Sequence, residues 1–165
     1  DRTLTNSLRF ATILIATGAL AIGGAAHAKY NQRIAHNPAA CNSGGPAIKV
    51  TVNGIRSGGG TMRVQSYFGT KSDWLEKGKW LTRTETAARA GTMTFCVPIS
   101  APGTYAIAVR HDVNGNGRTD LRQDGGGMSN NPSINLFNLG RPSHTRTAFA
   151  AGNGITPITI NMRYM

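Results

Sequence analysis

The sequence predicts an all-β fold, namely an antiparallel β-sandwich of about seven strands preceded by an N-terminal apolar helix. Three observations support this fold class. Apolar and polar residues alternate with period two in several short runs, as they do in strands buried on one face. The 21 glycines and 7 prolines of the 165-residue chain place turns between these runs. The same composition, with 7% aromatic residues, disfavours a coiled coil or a helical bundle.

The first 28 residues differ in composition from the rest of the chain. Arg2 and Arg9 precede residues 10–28, which contain no Asp, Glu, Lys or Arg and end in Ala-His-Ala. This pattern is typical of a secretory signal peptide cleaved after Ala28, which would place the remainder on the periplasmic side of a bacterial inner membrane. As a helix these 19 residues would extend ~28 Å, so an uncleaved membrane anchor is the alternative. The large apolar side chains of that anchor are Phe10, Ile13, Leu14, Ile15, Leu20 and Ile22.

The strands are expected in a single domain over residues 47–165, after a polar, turn-rich arm at residues 29–46. They are predicted at residues 47–52, 61–68, 92–97, 104–110, 147–150 and 155–164. Residues 83–87 suit either a strand or a helical turn. Residues 127–140 are rich in Asn, Gly and Pro and predict a loop.

Cys41 and Cys96 are the only cysteines of the chain. An even number of cysteines in an exported protein predicts a disulfide, which would tie the arm to the predicted strand at residues 92–97. Closing this loop would stabilise the fold by ~3–4 kcal/mol in the chain-entropy model. Two free thiols or a metal-binding pair are the alternatives, although the two cysteines lack the spacing of metal ligands.

Residues 111–120, HDVNGNGRTD, follow directly on a predicted strand and carry a pattern typical of calcium loops. Side-chain oxygens recur at positions one, three, five and nine of such a loop, and Gly117 stands at position six, where the chain turns sharply. Position twelve is Gln123 rather than Glu, so we expect weak binding, in the millimolar range. The alternative is that these side chains cap a tight turn by accepting hydrogen bonds from backbone N–H groups. The candidate calcium ligands are Asp112, Asn114, Asn116, Arg118 through its carbonyl, Asp120 and Asp124.

The run GTYAIAVRHDVNGNG at residues 103–117 resembles the signature of a family of uncharacterised, signal-bearing bacterial proteins. That signature is GTYA-x4-HD-x-N-x-NG-x2-D. The segments GMSNN at residues 127–131 and AF at residues 148–149, with the last strand, also fit the family. The resemblance covers roughly residues 47–165 and implies an exported transthyretin- or immunoglobulin-like β-sandwich, but no activity or substrate. The chain departs from the family pattern after Asp120, where it reads LRQDGG.

The chain is strongly basic, with 18 Lys and Arg against 7 Asp and Glu. Such a charge attracts anionic surfaces, such as lipid head groups, lipopolysaccharide or an acidic protein. A solvated surface that keeps the domain soluble is the alternative. We expect the contact surface among the basic residues near Trp74 and Trp80, namely Lys71, Lys77, Lys79, Arg83 and Arg89.

The sequence favours a binding or docking role over catalysis. It contains no recognisable nucleophile–base arrangement, phosphate loop or dinucleotide fingerprint. We therefore expect a non-catalytic accessory protein that docks on a larger membrane complex, such as a respiratory or photosynthetic assembly. The alternative is a soluble periplasmic binding module for calcium or for an anionic glycan or lipid. Nucleic acid fits poorly with export, no small-molecule substrate is evident, and calcium is the one cofactor suggested.

Overall fold

The computed structural model describes residues 29–134 and 140–165, and these are mostly strands in two sheets. A 3₁₀ helix, Pro38–Ser43, and a short helix α1, His144–Thr147, accompany the strands. The strands of the described residues are β1 (Gln32–Ile34), β2 (Ala47–Ile55), β3 (Thr61–Phe68), β4 (Thr82–Ala87), β5 (Gly91–Pro98), β6 (Gly103–Asp112), β7 (Gly125–Met128), β8 (Phe149–Ala151), β9 (Ile155–Asn161) and β10 (Arg163–Tyr164).

Most strand pairs are antiparallel, but both sheets are mixed, so the predicted antiparallel arrangement is confirmed only in part. The seven-stranded sheet has the order β1-β4-β3-β6-β7-β10, with β8 also paired to β6, and the three-stranded sheet has the order β5-β2-β9. The pairs β1–β4 and β2–β9 are parallel. These two parallel pairs were not predictable from the sequence. The partners are far apart in the chain, and the alternation of polarity within a strand does not indicate the direction of the strand beside it. The described residues contain ten strands rather than about seven, because β1 and β7 are additional and the last predicted strand is divided into β9 and β10.

The main hydrophobic core contains buried residues from both sheets. Alternate residues of β2, β3, β5 and β6 contribute to it, which explains the period-two pattern of these segments. Phe95 of β5, Ile107 of β6 and Ile160 of β9 have no exposed surface. Each such side chain contributes about 1.5–3 kcal/mol through burial.

A second, smaller cluster lies on the other face of the seven-stranded sheet. Its buried members are Tyr67 of β3, Trp74 of the β3–β4 loop, Ala106 of β6 and Met128 of β7. The Trp74 indole Nε1 donates a hydrogen bond to the carbonyl of Pro142 at 2.8 Å. These side chains cover part of the sheet's outer face, and the rest of that face carries charged residues.

The predicted disulfide is confirmed. Cys41 of the 3₁₀ helix and Cys96 of β5 are bonded, with their Cα atoms 5.5 Å apart. The segment before Cys41 contributes β1 to the opposite, seven-stranded sheet. There the backbone N–H of Gln32 donates to the carbonyl of Leu81 at 2.9 Å. Residues 29–46 therefore contact both sheets.

The C-terminal segments differ from their predicted boundaries. Residues 147–150, predicted as one strand, contain the last residue of α1 and the first residues of β8. The strand predicted at residues 155–164 is divided at Met162 into β9 and β10, which belong to different sheets. Within the described part of the chain, no helix is long and apolar enough to cross a membrane. The predicted anchor or signal at residues 1–28, with Phe10 to Ile22, lies outside the described residues.

Candidate functional site

Arginines from neighbouring strands stand in register on the outer face of the seven-stranded sheet. Arg63 of β3 lies opposite Arg110 of β6, which lies opposite Gly126 of β7. Gly126 in turn lies opposite Arg163 of β10. On the other side, Arg83 of β4 pairs in register with Arg33 of β1. Arg83 lies opposite Gln65, two residues from Arg63 on the same face of β3. Because opposite and alternate residues project to the same face of a sheet, these five side chains form one band, which we call the arginine row.

Glu85 of β4 partly balances this charge at one end of the row. Its carboxylate accepts hydrogen bonds from Arg63 Nε and from Arg33 Nη1, the latter at 3.0 Å. Although partial burial alone would raise the pKa of Glu85, the hydrogen bond from Arg63 and the charges of the nearby arginines hold it below its usual value. Burial, followed by the charges of Arg63 and Arg33, lowers the pKa of the Arg83 guanidinium. The five arginines of the row thus exceed the two carboxylates that pair with them, Glu85 and Asp112.

Arg110 is fixed in place by the loop that follows its own strand. Its Nη1 donates to Thr119 Oγ1 at 3.1 Å and its Nη2 to the carbonyl of Gly117 at 3.4 Å. Asp112 Oδ2 lies 3.5 Å from the same Nη2. The Nε of Arg110 is buried without a hydrogen-bond partner, as is Asp112 Oδ1. This guanidinium is therefore held rigidly at the middle of the row.

A cleft of about 580 Å³ lies between the arginine row and the second cluster. Its volume is in the range of small-molecule sites. Gly126 leaves a gap in its floor between Arg110 and Arg163, since a Cβ at this position would meet only the Val109 carbonyl, at 3.9 Å. Arginines line one side of the cleft, and its apolar lining includes Tyr67, Leu75, Ala108, Leu121, Met128 and Met165.

The predicted calcium loop uses its side-chain oxygens to bind its own backbone. Asp112 Oδ2 accepts from the N–H of Gly117 at 2.7 Å. Both Asp124 oxygens also accept from backbone N–H groups, Oδ1 at 3.0 Å and Oδ2 at 2.8 Å. Asn114 Oδ1 and Asn116 Oδ1 do the same at 3.1 and 2.8 Å, the second from Arg118. These contacts are those of the turn-capping alternative.

The amide groups of the same loop point toward Asp120. Asn114 Nδ2 and Asn116 Nδ2 donate to Asp120 Oδ2 at 2.9 and 2.7 Å, and these bonds lower the pKa of Asp120. In the described residues no group of three or more His, Cys, Asp and Glu side chains is arranged to hold a metal ion. The calcium site stays a prediction, to be tested by titration with Ca²⁺.

His111 of the signature has a structural position. Its ring is fully buried, with Nε2 2.7 Å from the carbonyl of Gly59 and Nδ1 2.7 Å from the hydroxyl of Tyr164. Because a carbonyl only accepts, Nε2 carries the proton and the Tyr164 hydroxyl donates to Nδ1. Tyr164 also accepts from the backbone N–H of Arg56 at 3.1 Å. His111 does not bond to its sequence neighbour Asp112, because adjacent residues of a strand point to opposite faces.

The basic residues predicted as a contact surface lie in different parts of the fold. Lys71, Lys77 and Lys79 belong to the loop between β3 and β4, and Lys79 Nζ lies 4.9 Å from the centre of the Tyr30 ring. Arg83 stacks over Trp80 at 4.3 Å and belongs to the arginine row. Arg89 is an exposed residue beyond the end of β4.

The other four arginines of the row were not predicted as site residues. The sequence feature that could have identified them is an arginine at an outward-facing position of a strand with alternating polarity. Arg63, for example, lies between the buried residues Met62 and Val64. Only the register of the strands shows that these positions are neighbours.

No curated protein and no solved structure matches the chain. A family model described as "Uncharacterized protein conserved in bacteria (DUF2141)" matches residues 50–159. The matched segment runs from β2 to β9 and includes the signature, the loop that follows it and Gly126. The resemblance inferred from residues 103–117 is confirmed, and the chain belongs to the DUF2141 family of bacterial proteins.

Proposed function

We propose that this domain is an exported, non-catalytic binding module that holds an anionic group at the arginine row. The observation that carries the proposal is the register of Arg63, Arg110 and Arg163 along the border of a cleft. Glu85 occupies the end of the row at β3 and β4. At the other end Asp112 pairs with Arg110, whereas no ion pair of the described residues involves Arg163, and Gly126 leaves room for a ligand between the two arginines.

Guanidinium groups suit this role because their planar arrays of donors bind carboxylates and phosphates in a bidentate manner. Arg110 is preorganised by its bonds to the loop, which reduces the entropy lost on binding. The acidic side chain in the cleft lining, Asp124, already accepts two backbone hydrogen bonds. Export is supported by the disulfide, since such bonds persist in oxidising compartments.

The test is isothermal titration of the full chain with inorganic phosphate and pyrophosphate at low ionic strength. We expect Arg163→Ser to weaken binding about tenfold, because a hydrogen bond to a charged group is lost. Arg163 is exposed, so this variant keeps the fold. Lys49→Ser is the matched control, since Lys49 is an exposed cation on β2 of the other sheet. Equal affinities of the two variants would refute the assignment to the arginine row.

Docking on a larger membrane complex is the second candidate function. It is favoured by the continuation of the row beyond the cleft to Arg33 and Arg83, on the β1–β4 edge of the sheet. For this function we expect a stoichiometric protein partner to co-purify from native membranes. The Arg33→Glu variant should no longer co-purify with this partner, whereas the Arg163→Ser variant should still do so. The reverse pattern would favour the cleft.

A further inference from the structure

We infer that the ligand of this cleft is an amphiphile, an aliphatic chain with one anionic head group. The inference rests on the proposed function and specifies its ligand class.

The first observation is a gradient from charged to apolar side chains along three neighbouring strands. On β3 the outward residues pass from Arg63 through Gln65 to Tyr67, and on β6 they pass from Arg110 to Ala108. These positions are in register, with Arg63 opposite Arg110 and Gln65 opposite Ala108. The four steps from Arg63 to Tyr67 along β3 extend about 13 Å. The outer face is therefore polar at one end and apolar at the other.

Strand β7 continues the same gradient. Gly126 lies opposite Arg110, and Met128 lies opposite Ala108. A head group that enters the gap at Gly126 would meet the guanidinium groups, and a chain attached to it would lie over Met128 toward Tyr67. Met128 and Tyr67 belong to the second cluster, so this end of the cleft is continuous with a hydrophobic core.

The second observation is the exposure of two large apolar side chains. Leu121 and Met165 are 57% and 58% exposed, and they are the exposed large hydrophobic residues of the described part of the chain. Both line this cleft. A single exposed apolar residue is ordinary, but two at the border of one cleft form a surface that an apolar ligand would cover. An inorganic anion would leave them in water, and a glycan would need hydrogen-bonding groups in their place.

The experiment compares ligands that share a head group and differ in chain length. The full chain is titrated with acetate, octanoate, decanoate and dodecanoate below their micelle concentrations, with inorganic phosphate and dodecylammonium as controls. We expect the affinity to rise about fourfold for every methylene that enters the cleft. Dodecylammonium should bind far more weakly than dodecanoate, because its charge is repelled by the arginine row.

Variants of the cleft test the contacts to the aliphatic chain and to the head group separately. Leu121→Ser and Met165→Ser should reduce the dependence on chain length, whereas Leu121→Met should keep it. Arg163→Ser should weaken binding of every anion in the series, and Lys49→Ser should leave it unchanged. All these residues are exposed, so each variant is expected to fold.

The outcomes distinguish the inference from the proposed function. If phosphate binds and the carboxylate series shows no dependence on chain length, the amphiphile is refuted and the anion-binding function stands. If dodecylammonium binds as tightly as dodecanoate, the anionic head group is refuted. If neither phosphate nor any carboxylate binds, the proposed function itself is refuted.

Discussion

The three consecutive glycines of β7 allow a sharp test of the packing around the site. An added Cβ at Gly126 would have its nearest contact at 3.9 Å, on the outer face. At Gly127 it would lie 2.6 Å from Ile160 Cγ2 and 3.2 Å from the carbonyl of Asn161, in the core between the sheets. Ile160 has no exposed surface, so it cannot move into solvent without opening the core.

We therefore expect opposite effects from the same methyl group at adjacent positions. Gly126→Ala should raise the free energy of unfolding by about 0.4–1 kcal/mol, since it reduces the entropy of the unfolded chain. Gly127→Ala should lower it by about 1–3 kcal/mol through overpacking. The difference corresponds to a gap of several degrees in melting temperature, at about 2–4 °C per kcal/mol. The difference in the free energy of unfolding is measured by urea unfolding, provided that the two variants have the same m-value.

Two results would refute this reasoning. If Gly127→Ala were as stable as the parent chain, β7 would not pack against Ile160 in the way described. If Gly126→Ala were destabilised by more than about 1 kcal/mol, the outer face at Gly126 would not be open. A larger side chain adds a functional readout, because Gly126→Leu should fill the gap beside Arg110 and abolish anion binding while the fold remains stable.

Further outcomes follow from single contacts. Reduction of the disulfide, which closes a loop of 55 residues, should lower the free energy of unfolding by about 4 kcal/mol, as measured by urea unfolding with and without reductant. Tyr164→Phe should cost about 1–3 kcal/mol, because it leaves Nδ1 of buried His111 without its partner; an unchanged unfolding midpoint would contradict a stabilising role for this hydrogen bond. The lowered pKa of Glu85 means that its contribution is present above the unfolded pKa and is lost as pH falls through the folded pKa. Melting temperatures of Glu85→Gln and the parent should therefore differ at neutral pH and converge as the pH falls below about 4.3, the ordinary pKa of a glutamate. In the loop at residues 112–124, a weak calcium site predicts a melting shift at about 10 mM Ca²⁺, and its absence would refute calcium binding.

Strands with one buried face could be predicted well from the sequence. The boundaries of β3 agree with the prediction, and those of β5 and β6 differ by one or two residues. In each case the alternation reflects burial in the main core. By contrast, β7 was missed because Gly125, Gly126 and Gly127 have no side chains that could alternate.

The candidate site could be predicted only in part, because it depends on contacts between distant strands. Arg83 was identified from its position near Trp80, whereas Arg63, Arg110 and Arg163 become neighbours only through the pairing of β3, β6, β7 and β10. The loop after β6 presents a different difficulty. Calcium coordination and turn capping both require side-chain oxygens at short intervals, so the spacing alone does not separate them.

The connection of the N-terminal arm to both sheets has a mechanical consequence. A force applied at Lys29 acts first on β1, which is held to β4 by parallel pairing over Gln32–Ile34. After β1 is detached, the chain extends only as far as Cys41, where the covalent bond to Cys96 transfers the load to β5, an edge strand of the three-stranded sheet that pairs with the central strand β2. Tension on the arm thus removes one edge strand, with Arg33, and leaves Arg63, Arg110 and Arg163 beside the cleft in place. The domain can be pulled by whatever precedes the arm without losing its cleft.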